Sequence, residues 1–163
     1  MELDFDHQSG RLSISSEYNE DKVRSGRRED CPDSYSQYSG SSNDDSYVVC
    51  SNIRYELRVP RDIALDVESI SSDIKLVGLT GPIRAKSTSG YVDLSWPAKK
   101  EADISIKTVS GEAFTDLNNL RFENKRKKIP LVGYKLRGQI GGGGAEVSLE
   151  SVSGNIFLRK EKT

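Results

Sequence analysis

Chemistry-bearing side chains are scarce in this sequence. Its 163 residues include one histidine, two cysteines, one methionine and one tryptophan. The only histidine is His7, and the cysteines lack zinc-type spacing, so no metal site is expected. Cys31 and Cys50 lie in or beside the most polar stretch of the chain. They could staple that stretch in an exported protein and stay free thiols in a cytosolic one, and two cysteines do not choose between these cases. Long apolar runs are also missing. The chain starts Met1-Glu2-Leu3-Asp4-Phe5-Asp6, which is acidic and alternating. No secretory leader or transmembrane segment is visible, which leaves a cytosolic protein or a chain that starts after a removed leader.

Nor does either sign of charge dominate. There are 24 basic and 25 acidic residues, for a net charge of −1. A nucleic-acid binder would show a basic excess on one face, so nucleic acid is not expected as a partner. The most basic run, 125–128, sits between Asn124 and Ile129-Pro130 and reads as a solvated loop. Hydrophobic residues make up 34% and charged residues 30%, a thin supply for a broad globular core. A repeat fold tolerates this, because each repeat buries only a narrow strip against its neighbours.

Such a repeat is present. Four ten-residue blocks align without gaps, at 67–76, 85–94, 106–115 and 149–158, and a looser copy occupies 5–14. Their central serines are Ser9, Ser71, Ser89, Ser110 and Ser153, separated by 62, 18, 21 and 43 residues. The long steps are near multiples of a unit of about 20 residues, the length of one solenoid turn. Gly138-Gln139-Ile140 is a candidate remnant of a missing copy.

Side chains alternate faces along a strand, so the columns can be assigned. Position one is always apolar: Val67, Ala85, Ile106, Leu149 and Phe5. Position three is Ser69, Ser87, Thr108 and Ser151, with His7 in the loose copy, and position five is always serine. These predict two inward hydroxyl ladders that bond backbone groups freed at a corner. Position six is Gly90, Gly111, Gly154 and Gly10, with Ser72 once. Glycine there permits a positive φ or a close approach at the bend. Positions eight and ten return to apolar residues in most copies, so each block reads as strand, corner, strand. Position two is a charged outward ladder. Position nine is Lys75, Asp93, Phe114, Phe157 and Ser13, which sends two aromatics outward.

Residues 55–67 followed by the Ser-Gly blocks resemble a bacterial adhesin-like family of β-strand-repeat proteins of unknown function. In that family a strand ending in Val-Pro or Leu-Pro leads into repeated Ser-Gly-x-apolar-x-apolar units. The resemblance covers about 47–160 and more weakly the first fourteen residues. It implies an all-β, single-stranded parallel β-solenoid (β-helix or β-roll) with rungs of about 20 residues, taken as right-handed. It also implies export to, or tethering at, the cell envelope, with cytoplasmic residence as the alternative. No enzymatic activity, cofactor or catalytic residue comes with it.

The expected organisation is one solenoid domain over 1–163. A polar insertion of low order is expected at 15–46, and a loop extruded at 116–130. Tyr35, Tyr38 and Tyr47 are contact candidates if the insertion binds anything. Residues 47–50 and 53–59 read as strands. The glycine run 141–144 lacks the Lys-Ser/Thr of a phosphate loop and reads as a turn.

An enzyme is not expected. The serines belong to structural ladders without a base beside them, and Asp66, Asp73, Asp93 and Asp116 fall in different columns. The expected function is a non-enzymatic surface module that binds a protein or glycan, with Phe114 and Phe157 as its speculative contact residues. The structural alternative for those rings is that 116–128 folds over them. The competing function is a scaffold that self-associates through solenoid ends, and the charged tail 159–163 is expected to cap one such end.

Overall fold

The computed structural model describes residues 2–17, 19, 36–42, 45–51, 53–123 and 134–162, with backbone alone at 36–42, 45–51 and 134. It has fourteen strands and no helix among these residues. Backbone contacts gather the chain into two units, Met1–Leu57 and Arg58–Thr163, where the sequence reading drew one.

The first unit holds two antiparallel hairpins. β1 (Glu2–Gln8) pairs with β2 (Arg11–Glu17), and β3 (Ser36–Ser42) pairs with β4 (Asp45–Ser51). The loose copy at 5–14 is therefore a hairpin rather than a rung. Its Ser9-Gly10 forms a two-residue turn in which both residues have positive φ, 49° and 78°. That matches the right-handed twist of the paired strands, whereas a rung corner must send the chain into another sheet. Phe5 and His7 are exposed here, so neither occupies an inward column. β3 falls inside the 15–46 segment expected to be of low order; 20–35 lies outside the described residues, as does Cys31. Residues 47–50 do lie in a strand, β4, but 53–60 is assigned no strand.

The second unit carries the four good blocks. Each begins on a six-stranded sheet, turns a corner, and continues on a four-stranded one. β5 (Leu65–Ser69) leads to β6 (Ile74–Val77), and β7 (Ile83–Ser87) to β8 (Val92–Trp96). β9 (Ala102–Thr108) leads to β10 (Ala113–Thr115), and β13 (Ala145–Ser151) to β14 (Ile156–Lys160). β11 (Leu120–Phe122) and β12 (Tyr134–Ile140) intervene between the third and fourth blocks. The six-stranded order is β11-β12-β9-β13-β7-β5, and the four-stranded order is β10-β14-β8-β6.

All pairings between blocks are parallel, as expected for solenoid rungs. Their spatial order is not the chain order. The last rung, β13/β14, lies between β7/β8 and β9/β10, so the rungs do not coil in sequence. β12 runs antiparallel to β9, and β11 antiparallel to β12, making the larger sheet mixed. The 43-residue step is thus filled by this antiparallel excursion. Gly138 to Ile140 belong to it instead of marking a lost rung, and part of the loop expected at 116–130 is strand β11. Residues 124–130, including the basic run, lie outside the described residues.

The tail also has a different place. Arg159 and Lys160 are in β14, inside the stack. Glu161 N donates to Trp96 O, and the Glu161 carboxylate pairs with Arg61 at 3.4 Å. It caps no end of the stack.

Inward columns one, eight and ten form one core across both sheets, with Ala85, Ile106, Leu149, Val92, Leu94, Ile156 and Leu158 all nearly inaccessible. Trp96 fills the same core and donates its indole N–H to Lys100 O at 2.9 Å, so its polar atom is satisfied.

The corners explain the Ser-Gly signature. The corner glycines are not among the positive-φ residues. They are needed for close approach: a Cβ on Gly90 would collide with the Ser72 carbonyl, one on Gly154 with the Gly90 carbonyl, and one on Gly111 with the Gly154 carbonyl. Buried hydroxyls of column three bond at the same place. Ser87 Oγ donates to Ser72 O at 2.9 Å and Ser151 Oγ to Gly90 O at 3.0 Å, while Thr108 Oγ1 accepts from Gly111 N at 3.0 Å. Column five is not inward, although Ser110 Oγ donates to Val152 O at 3.1 Å. Ser71, Ser89, Ser110 and Ser153 are exposed, so there is one inward hydroxyl ladder and not two. The reason is that the bend begins before position five and breaks the strand alternation. Beyond the bend, Asp73 accepts Tyr91 N and Asn155 accepts Glu112 N, both at 3.0 Å. Side-chain acceptors replace ladder partners where the backbone turns.

Candidate functional site

Parallel pairing carries each block column across the stack. In column nine, Phe114 on β10 pairs with Phe157 on β14, which pairs with Asp93 on β8, which pairs with Lys75 on β6. The two phenylalanines singled out by sequence are therefore cross-strand neighbours on the outer face of the four-stranded sheet. Their rings stack, with centroids 5.4 Å apart and planes 15° from parallel. Because β14 enters between β8 and β10, residues 43 positions apart in sequence touch.

Phe157 is half-buried and Phe114 is 44% exposed, so the outer ring of the stack offers a free face. Tyr91 meets Phe157 edge-on at 6.1 Å. The Arg159 guanidinium lies over the Phe157 ring, 4.7 Å from its centroid, a cation–π geometry. Its Nε is 3.1 Å from Asp93 Oδ1, an ion pair without hydrogen-bond alignment. The result is an aromatic surface with the Arg159 cation along one border and the largely buried Asp93 carboxylate beside it. Residues 116–123 leave Phe114 exposed, and 124–128 lie outside the described residues.

Sequence reading missed Tyr91 and Arg159. Arg159 was accessible to it, since it follows Phe157 by two positions and shares its face. Tyr91 was not, because position seven otherwise holds Asp73, Glu112 and Asn155.

The other candidates have structural partners. Asp66 receives both contacts of Arg84, at 3.1 and 3.2 Å, Asp73 caps Tyr91 N, and Asp116 accepts from Lys160 N at 2.6 Å. The four aspartates thus hold separate places in the frame. The glycine run 141–144 is a turn between β12 and β13. Glu101 accepts Gly142 N and Asp103 accepts Gly144 N, both at 3.0 Å, so carboxylates occupy the amides an anion would need. Among the described residues, no group of three or more His, Cys, Asp or Glu side chains could hold a metal ion. Among them, too, no helix is long and apolar enough to cross a membrane. Tyr38 and Tyr47 lie in β3 and β4 with backbone alone described, and Tyr35 lies outside. The pairing of Cys31 with Cys50 also lies outside the described residues.

On the larger sheet, column two reads Glu68, Lys86, Glu150, Lys107 across β5, β7, β13 and β9. Lys86 pairs with Glu68, and Lys107 with Glu150 at 3.6 Å. The bond from Lys86 holds the Glu68 carboxyl below its ordinary range, helped by the nearby charges of Lys86 and Arg84. Each pair in this alternating row has an exposed member, so solvent screens it and it contributes little to stability.

No curated protein and no solved structure matches the chain. The sequence model of the Toastrack DUF4097 family matches residues 1–159, and the chain belongs to that family.

Proposed function

We propose that this protein is a non-enzymatic contact module of the cell envelope or cell exterior, binding a protein or glycan surface in the adhesin-like manner that the resemblance of its sequence implies. The observation that carries the reading is the stacked Phe114–Phe157 pair on the outer face of the four-stranded sheet, bordered by Tyr91, Arg159 and Asp93. Flat aromatic faces contact sugars and protein side chains well, and polar groups at the border give orientation. Phe157 is already held by three neighbours, so little ordering cost remains at binding. The rungs serve as a rigid solenoid-like frame that presents this face.

The test compares capture of purified protein on immobilised bacterial envelopes and on glycan arrays, before and after Phe114→Ser. The expected outcome is loss of capture with an unchanged melting temperature, since exposed substitutions usually stay within about 0.5 kcal/mol. A large fall in melting temperature would mean that the ring is a structural element and would sink the reading. The competing scaffold reading has its own observation: rung β5/β6 ends the stack with half-exposed core residues, Leu65, Val67 and Leu76.

A further inference from the structure

The end of the stack at β5/β6 has every feature of an edge that could accept more chain, except one. β5 and β6 are the edge strands of their sheets. Leu65, Val67 and Leu76 are half-buried where their counterparts Ile83, Ala85 and Leu94 are almost fully enclosed. Outward charges are complementary as well. β5 presents Asp66 and Glu68, each already paired with a cation of β7, and β6 presents Lys75. A second copy related by a two-fold axis through the corner would lay its β6 against β5, bringing Lys75 beside those carboxylates. Its apolar residues would meet Leu65 and Val67. Edges of this kind commonly pair unless something prevents it.

The exception is Ser72. Along the stack, the missing Cβ of each column-six glycine points at the carbonyl of the rung on its β5/β6 side: Gly111 at Gly154, Gly154 at Gly90, Gly90 at Ser72. By the same repeat, the Cβ of Ser72 points out of the stack, at the place where one more corner would sit. The single departure from glycine in the rungs falls on the one rung with no such neighbour among the described strands. At the opposite end β12 occupies the free edge of β9, while β10 is the edge of the four-stranded sheet.

We infer that Ser72 is a stop residue: its side chain bars another corner from stacking on rung β5/β6 and keeps the apolar edge from pairing with a second copy of this chain. The same inference tells against end-to-end scaffolding through this edge.

Sedimentation velocity over a wide range of protein concentration, with circular dichroism to verify the fold, tests it on the full chain. The wild type should stay monomeric, and Ser72→Gly should shift to dimer mass as concentration rises. Ser72→Leu should remain folded and monomeric, with the melting temperature of the wild type. Association of the wild type, or monomeric behaviour of a folded Ser72→Gly chain, would overturn the inference. So would unfolding of either variant, because glycine only removes atoms and leucine should project into solvent.

Discussion

The dipeptide Ser-Gly occurs at the hairpin tip, Ser9-Gly10, and at rung corners such as Ser153-Gly154, and it serves opposite purposes there. At the tip the glycine is used for its left-handed conformation, φ 78°, and nothing lies within 4 Å of where its Cβ would be. At the corner the backbone conformation is ordinary for any residue, and the glycine is used for its missing atom, with the Gly90 carbonyl filling the space. Identical letters thus encode a torsional requirement in one unit and a steric one in the other. The difference is set by what lies alongside the bend.

The sharpest way to break this comparison is to add one methyl group. Gly154→Ala should cost about 3 kcal/mol, because the Gly90 backbone that the new methyl would strike cannot yield. Thermal unfolding of the second unit reads it. Gly10→Ala should cost about 1 kcal/mol, for left-handed strain only. Hydrogen exchange should show that loss confined to the amides of β1 and β2. Equal effects at both sites would end the distinction.

Next in size come the hydroxyls. Ser151→Ala removes the donor to Gly90 O in a buried position and should cost about 2 kcal/mol in chemical denaturation. Ser153→Ala, two residues on but exposed, should stay within about 0.5 kcal/mol. In the hairpin neither role exists, since His7 stands in the third position and is exposed.

The smallest effect concerns the outward row. Asp6 in the hairpin faces Ser13, whereas Glu68 in the rungs faces Lys86. Glu68 titrates below its ordinary range in the folded chain. Its small contribution is therefore present above the unfolded-state pKa and is lost as pH falls through the lower folded value. Lys86→Met should move the Glu68 carboxyl upward in an NMR titration and leave neutral-pH stability nearly unchanged.

The rungs themselves were legible because their columns are physical. Ala85, Ile106 and Leu149 align in sequence for the same reason that they share a core, and Phe114 and Phe157 align because they share an outer face. The order of the rungs was not legible. Gly90, Gly111 and Gly154 are equivalent at the corner, so no column distinguishes which rung stacks on which. Position five was misplaced because alternation was carried through a bend where it no longer holds. The hairpin was misread because a Ser-Gly turn and a Ser-Gly corner differ only in surroundings the local sequence does not contain. Tyr91 stayed hidden for a related reason: its partner ring arrives on the last strand.

That late arrival governs how the molecule can come into being. β13 pairs on one side with β7, Val147 against Ile83, and on the other with β9. Until β13 and β14 have been synthesised, the second and third rungs have no common partner and their apolar edges face water. Assembly of the unit must wait until β13 and β14 have been made and must close its longest loops last, which is a slow, high-contact-order step. A chain interrupted before residue 145 leaves the two rungs unjoined, with unpaired strand edges of the kind that make partly folded species prone to aggregate.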